Sequence, residues 1–178
     1  MSLVNRAFGR ELQYEDVYSH LTTPDKVYLM TYENDVVAMA GYSKKVLSGV
    51  PSIYVDGVTV DPKIQGRKVF RNLTKRAVDG EKILCLRTQN PFMYKAVQNY
   101  CSAVYPNGSE MPSGIRKVME DLARSLGSKI DGNGVVPGHF GGLFYGKEPT
   151  HHTISRFFRE NLKMDLYRGD AVLVVGVI

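Results

Sequence analysis

The sequence predicts an α/β fold in which a mixed, mostly antiparallel central sheet is flanked by helices. Three observations predict it. Apolar strand patterns follow one another with short turns over residues 26–60, which is typical of an antiparallel meander. The pattern then changes to helix, strand and helix over residues 65–100. The chain finishes with an almost uninterrupted apolar run over residues 170–178, which has to be buried as a strand of the same sheet.

Composition fits one soluble domain over residues 1–178, because the chain is 43% hydrophobic and 23% charged. No apolar run reaches the roughly 18 residues of a membrane span, and the start lacks a signal-peptide pattern, so we expect a cytoplasmic protein without membrane contact. The formal net charge of +5 favours an anionic partner, which leaves nucleic acid, a cofactor or a substrate open.

The first half of the chain begins with a predicted amphipathic helix over residues 11–21. Strands are predicted over residues 26–33 and 36–42, and the Asn34-Asp35 turn between them indicates a hairpin. A turn at Ser48-Gly49 then leads to a third strand over residues 52–60. Three consecutive strands with short connections form the meander.

The second half alternates helices and strands. Apolar residues at helical spacing predict helices over 65–78, 90–100 and 113–126, and a further short helix is predicted over 152–162. Buried-type strands are predicted over 82–87 and 103–105, in addition to the final one. Residues 127–149 are glycine-rich, and two interpretations stay open there: a mobile substrate-binding loop, or a surface excursion packed by its own aromatic residues.

The most informative stretch runs from 58 to 73, where a strand passes through a tight turn into a basic helix. Backbone N–H groups and the positive end of the helix dipole point outward at such a junction. Arg67, Lys68 and Arg71 add full positive charges. The pattern favours a cradle for a phosphorylated cofactor over an ordinary surface helix start.

Because this stretch follows three strands, the sequence resembles the GNAT family of acyl-CoA-dependent N-acyltransferases. The family motif runs Val-x-x-x-x-[Gln/Arg]-x-x-Gly-x-[Gly/Ala], and its first part is matched from Val60 to Arg67. Asn90, after the next strand, matches an asparagine common in the following segment of the family. The resemblance covers about residues 26–105. The two later motif glycines are replaced by Lys68 and Phe70. Two alternatives stay open for the Phe70 side chain: it turns into the core, or it blocks the cradle.

The resemblance implies a GNAT-like fold and acetyl-CoA as the acyl donor, with no metal. The pantetheine arm would enter a gap between the third strand and the strand after the next helix. The implied cofactor-binding residues lie on that strand, in the turn and helix start, and at the next helix cap: Val58, Val60, Gln65, Gly66, Arg67, Lys68, Val69, Phe70, Arg71 and Asn90.

Three residues are candidates for proton transfer. Asp56 shares a strand face with Val58 and Val60, where an acidic residue can serve the family as general base. The alternative is a strand-end carboxylate that faces solvent or caps a bulge at Gly57. Tyr94 and Tyr100 are candidates for the acid that protonates the leaving thiolate, and both also fit packing positions on a helix face.

The predicted activity is transfer of an acetyl or other short acyl group from acyl-CoA to the primary amine of a small molecule or peptide. One alternative is a catalytically degenerate GNAT-fold binding module, and a less favoured one is a basic nucleic-acid-binding domain.

Cys85 and Cys101 fit reduced core thiols, and the histidines at 139, 151 and 152 lack the companions of a metal site. The final strand, 170–178, is a candidate for pairing across a homodimer.

Overall fold

The computed structural model of the chain describes residues 2–178, apart from the side chains at positions 2 and 16. Its strands are β1 (Lys26–Tyr32), β2 (Asp35–Leu47), β3 (Val50–Val60), β4 (Ile83–Thr88), β5 (Ala103–Tyr105), β6 (Val135–Val136) and β7 (Ala171–Val177). Its α-helices are α1 (Ser2–Phe8), α2 (Tyr14–Thr22), α3 (Val69–Ala77), α4 (Pro91–Gln98), α5 (Ser113–Ser125) and α6 (Ile154–Glu160).

All the strands belong to one seven-stranded sheet in the order β1-β2-β3-β4-β7-β5, with β6 also paired to β7. The only parallel pair in the described part of the chain is β3 with β4, and the remaining pairs are antiparallel. A helix, α3, connects the parallel pair, as such a crossover requires. The predicted mixed, mostly antiparallel sheet flanked by helices is therefore confirmed.

Side chains alternate between two cores on opposite faces of the sheet. On β4, Leu84 and Leu86 pack on one face with residues of α3, α4 and α6, while Ile83 and Cys85 pack on the other with residues of α5. This period of two follows from the pleat of the strand. By the same alternation Arg87 lies on the α5 face, which matters for the site.

Several boundaries differ from the sequence-based expectation. The second strand continues to Leu47, well past the predicted end at residue 42, because β2 pairs with β3 from Ala38 to Leu47. The helix predicted from residue 65 begins at Val69, since Pro62–Ile64 forms a 3-10 turn and the backbone at Gly66 is left-handed. α1 and β6 were not predicted, because each is short and stabilised by tertiary contacts.

The final strand is enclosed by its own chain. β7 pairs with β4 on one side, and with β5 and β6 on the other. These partners occupy both edges of β7, so the strand has no free edge for pairing across a homodimer. The homodimer itself stays a prediction. No helix among the described residues is long and apolar enough to cross a membrane.

Candidate active site

The site begins where β3 and β4 separate. Their parallel ladder ends at the pair Val55 and Leu86, although β3 continues to Val60 and β4 to Thr88. Just beyond the ladder, β3 has a bulge opposite the Gly41/Tyr42 step of β2, with Asp56 as the extra residue. A bulge increases local twist and bends its strand. The result is a cleft between two neighbouring strands of one sheet.

The turn after β3 is fixed by side chains. Asp61 accepts a hydrogen bond from the Lys63 N–H at 3.0 Å and a guanidinium contact from Arg6 of α1 at 2.7 Å. These two partners hold the pKa of Asp61 below its usual value. The Gln65 amide nitrogen donates to the Val60 carbonyl at 3.1 Å. The motif glutamine therefore folds the turn back onto β3.

The start of α3 faces this cleft. Its first i→i−4 bond is donated by the Asn72 N–H to the Lys68 carbonyl at 3.0 Å. The N–H groups of Val69, Phe70 and Arg71 therefore lie outside the helical ladder, at the positive end of the helix dipole. An anionic group at this end of α3 meets both these donors and the nearby cationic side chains.

The two residues that replace motif glycines take different roles. Lys68 has φ +61° and ψ +21°, the left-handed conformation that glycine adopts most readily, so the lysine occupies a glycine-like backbone position. Phe70 is only 8% exposed and packs in the core on the α3 face of the sheet. Of the two alternatives for Phe70, the structure shows the side chain turned into the core.

A cavity of about 740 Å³, here called the larger cavity, opens between the end of β3, the start of α3 and the face of α4. All the predicted cofactor-binding residues except Arg67 line it. Lys95 of α4 and Asn99, at the C-cap of that helix, also line it, and neither was predicted. Its volume is typical of a site for a small molecule or cofactor.

A second cavity of about 130 Å³, here called the smaller cavity, lies on the other side of the cleft. Its walls come from the bulge of β3, the end of β4, helices α1 and α2, and the aromatic residues of the segment 138–145. Phe8, Val58, Met93 and Tyr145 line both cavities. The two spaces therefore meet at these residues.

Asp56 lies in the wall of the smaller cavity. Ser43 donates a hydrogen bond to its Oδ2 at 2.7 Å. Burial raises the pKa of Asp56 above its ordinary value, while the hydrogen bond from Ser43 and the charge of Lys45 act in the opposite direction. A carboxylate with a raised pKa is a better proton acceptor than a fully solvated one. Its placement suits a general base.

The two tyrosines predicted as acids lie elsewhere. Tyr94 is 1% exposed, its hydroxyl donates to the Pro106 carbonyl, and its ring packs edge-on against Phe158. Tyr100 packs at the border of the same core. Neither is among the residues that line the two cavities. Both positions correspond to the packing alternative.

Tyr145 occupies the junction of the two cavities, and sequence reasoning did not single it out as a functional residue. Its ring stacks on Phe8 of α1 with centroids 5.4 Å apart. Burial raises the pKa of Tyr145 to about 12, and a hydrogen bond with the Asn90 side chain acts in the opposite direction. The phenol is thus protonated at neutral pH and can act as a donor. Its position depends on the long-range contact with Phe8, so no local sequence pattern predicts it.

The glycine-rich segment is held in place by Gln89, a second residue that sequence reasoning missed. Gln89 is 1% exposed, donates to the carbonyls of Leu166 and Gly142, and accepts from the Phe144 N–H at 2.9 Å. The Gly146 N–H also donates to the Phe8 carbonyl at 3.0 Å. The segment is therefore packed, as one of the two interpretations holds, and it also contributes to the wall of the smaller cavity. Substrate binding by this segment stays a prediction.

Within the described residues, no group of three or more His, Cys, Asp and Glu side chains is arranged to hold a metal ion. His151 and His152 stack on each other with centroids 4.5 Å apart, and His139 lies against Phe140. These contacts are aromatic packing.

Known structures share this architecture. The structure is similar to those of GNAT acetyltransferases. An IAA acetyltransferase from Bacillus cereus aligns at 13% identity with a TM-score of 0.49, covering 99% of this chain and 91% of that one. A GNAT family acetyltransferase from Elizabethkingia anophelis with acetyl-CoA bound aligns at 15% identity with a TM-score of 0.48, covering 99% and 89%.

The ribosomal-protein-S18-alanine N-acetyltransferase from Escherichia coli aligns at 16% identity with a TM-score of 0.47, covering 99% of this chain and 84% of that one. No protein-family model matches the chain, and no curated protein matches it in sequence.

Proposed function

We propose that this protein is an N-acyltransferase that moves an acetyl or other short acyl group from acyl-CoA to a primary amine. The observation that carries the proposal is the separation of β3 and β4 directly beside the N-terminus of α3. It leaves a cleft through the sheet with a cationic end and a carboxylate end. A long, thin thioester needs such a passage if its phosphates and its acyl group are to lie in different surroundings.

The larger cavity is the proposed cofactor site. The pyrophosphate lies at the N–H groups that begin α3, between the side chains of Lys68 and Arg71. The pantetheine arm follows Val58 and Val60 along the part of β3 that has no β4 partner. The thioester reaches the junction residues, beside Tyr145.

The smaller cavity is the proposed amine site. Asp56 takes a proton from the ammonium group, and the free amine nitrogen attacks the thioester carbonyl carbon. The new C–N bond forms as the carbonyl oxygen becomes an oxyanion. When the carbonyl reforms, the C–S bond breaks and the thiolate of CoA leaves, while the nitrogen of the new amide loses its remaining extra proton to water. Tyr145, at the junction, is the proposed donor of a proton to that thiolate, in the role that Tyr94 and Tyr100 were expected to have.

Calorimetric titration with acetyl-CoA tests the cofactor site. In a Lys68→Glu/Arg71→Glu variant, two attractive contacts to the phosphates become repulsive. We expect the dissociation constant to rise by at least about a hundredfold, since each charged hydrogen bond contributes about 1.5–3 kcal/mol.

The matched control is Arg116→Glu/Lys117→Glu, which makes the same change of charge on exposed positions of α5, across the sheet from the cavity. Its affinity should stay near that of the unmodified protein. Equal losses in both variants would show that affinity follows net charge alone, and unchanged affinity in the first variant would overturn the assignment. Tight binding without acyl transfer to any amine would favour the degenerate binding module.

A further inference from the structure

The smaller cavity contains two opposite charges that are not paired with each other. Asp56 lies at the β3 bulge, and Arg87 lies near the end of β4. Within the part of the chain that the structure describes, Arg87 takes part in no ion pair, and its hydrogen bond to Ser128 Oγ is long at 3.4 Å. A half-buried guanidinium without a carboxylate is costly unless a ligand supplies the anion.

The surroundings of Arg87 place its charge at the cavity wall. On β4 it shares a face with Cys85, the face that also carries Tyr54 of β3. Its positive charge acts to lower the pKa of Tyr54 and that of His139. The rings of His139 and Phe140 pack together with centroids 4.5 Å apart. Tyr54 and Phe140 are themselves residues of the cavity wall. The guanidinium is therefore next to the space in which an amine would sit.

Other arginines of this chain show what Arg87 lacks. Arg6 contacts the carboxylate of Asp61 at 2.7 Å, and Arg168 contacts that of Asp170 through two nitrogens at 2.7 and 2.5 Å. Both Asp61 and Asp170 are buried. Both of these arginines are more exposed than Arg87, and each still has a buried carboxylate as its partner, whereas Arg87 borders the cavity instead.

The size of the cavity limits what fits. One water molecule needs roughly 10–15 Å³ of such space, so about 130 Å³ holds on the order of ten non-hydrogen atoms. That is the size of a free amino acid. Most of the remaining wall is apolar or aromatic, including Phe140 and Phe144, and polar groups are added by His20, Thr59, Thr88 and Gln89.

We propose that the acceptor is a free amino acid, held by its carboxylate at Arg87 while its amine meets Asp56. This inference rests on the proposed function, since Asp56 acts there as the base. The guanidinium binds a carboxylate through two parallel hydrogen bonds, a geometry that fixes the acceptor's orientation. The side chain of the amino acid lies against Phe140 and Phe144. The reaction is unchanged: the amine nitrogen forms the new amide bond as the C–S bond of the thioester breaks.

Matched acceptors test the inference. L-phenylalanine and 2-phenylethylamine differ only by the carboxylate, as do L-leucine and 3-methylbutylamine. With acetyl-CoA, we expect kcat/KM to be about 10–100-fold higher for the carboxylated member of at least one pair, mainly through a lower KM. In Arg87→Gln the preference should disappear while activity on the simple amine remains, and Arg87→Lys should retain part of it.

Arg116→Gln, on the exposed face of α5, is the control and should keep the full preference. A preference for the simple amines, or a preference that survives in Arg87→Gln, overturns the inference.

Ligand-observed NMR with the four acceptors, without acetyl-CoA, separates this inference from the proposed transferase activity. Selective binding of the amino acids that is lost in Arg87→Gln supports the inference even if no acyl group is transferred. Absence of amino-acid binding, in a protein that still binds acetyl-CoA by calorimetry, overturns the inference alone.

Discussion

The two cavities that meet at Tyr145 are built in different ways. The larger cavity comes mainly from one contiguous stretch, the end of β3 through the start of α3, with the face of α4 beside it. The smaller cavity is assembled from α1, α2, two strand ends and the segment 138–145, which are far apart in sequence. Contiguous stretches are set by local turn chemistry, whereas an assembled wall depends on every contact that holds its parts together. Substitutions should therefore act differently on the two sides.

The largest expected effect is on the smaller cavity. Replacing Asp56 with Asn removes the proposed base, and we expect kcat to fall by at least about a hundredfold. The dissociation constant for acetyl-CoA should not change, because the larger cavity is untouched. Steady-state kinetics and calorimetry measure the two effects, and exposed Asp35→Asn serves as the control. A parallel loss of cofactor affinity would mean that the two cavities are not independent.

Stability of the same Asp56→Asn variant should depend on pH. Burial raises the folded-state pKa of Asp56, so its stabilising contribution is complete below the unfolded value of 3.8 and is lost as pH rises through the folded value. Asn is neutral throughout. The free energy of unfolding of the variant should therefore exceed that of the wild type near pH 7 and approach it below about pH 4. Denaturant titrations at both pH values measure this, and a higher relative stability at low pH would contradict the assigned environment.

The assembled wall should be sensitive to Gln89. Gln89→Ala leaves the Phe144 N–H and two carbonyls without their partner, and we expect a loss of about 3 kcal/mol in the free energy of unfolding. KM for the amine should rise while acetyl-CoA affinity is retained. Gln13→Ala, at an exposed position whose side chain makes no capping bond, should change neither quantity. If amine KM stayed constant, the segment 138–145 would not form the amine site.

The junction should show a smaller effect. Tyr145→Phe keeps the stacking on Phe8 and removes only the hydroxyl. We expect kcat to fall by about tenfold, or roughly 1.4 kcal/mol, with both binding steps nearly unchanged. The control is Tyr32→Phe, at a residue that is 66% exposed. A drop in kcat for Tyr94→Phe but not for Tyr145→Phe would return the acid role to the residue first predicted from the sequence.

The smallest expected effect concerns the larger cavity, and here the substitution should increase the free energy of unfolding. Lys68→Gly removes the cost of a side chain in the left-handed conformation and should stabilise the fold by about 1 kcal/mol. Cofactor affinity should fall because one positive charge is lost. Lys75→Gly, in the interior of α3, should instead destabilise the fold by about 1 kcal/mol. Thermal unfolding distinguishes the two, and equal destabilisation would show that position 68 has no special backbone role.

The difference between the cavities also explains what could be predicted. The strand meander, the turn after Val60 and the capping role of Asn90 follow from alternation, proline and side-chain capping chemistry, all of which act within a few residues. Most of the predicted cofactor residues therefore line one cavity. The acid candidates Tyr94 and Tyr100 came from positions on a helix, and helical spacing does not say which buried face meets the cleft.

Local backbone preferences and the hydrophobic period were enough to predict most of the elements, the mixed sheet and the basic strand–turn–helix stretch, although α1 and β6 were missed. Only the tertiary structure decided where the β3–β4 ladder ends, that Phe70 is buried while Lys68 adopts a left-handed backbone, and that Tyr145 and Gln89 reach the cleft. Those features depend on contacts between residues tens of positions apart. Such contacts exist only once the sheet has brought the segments together.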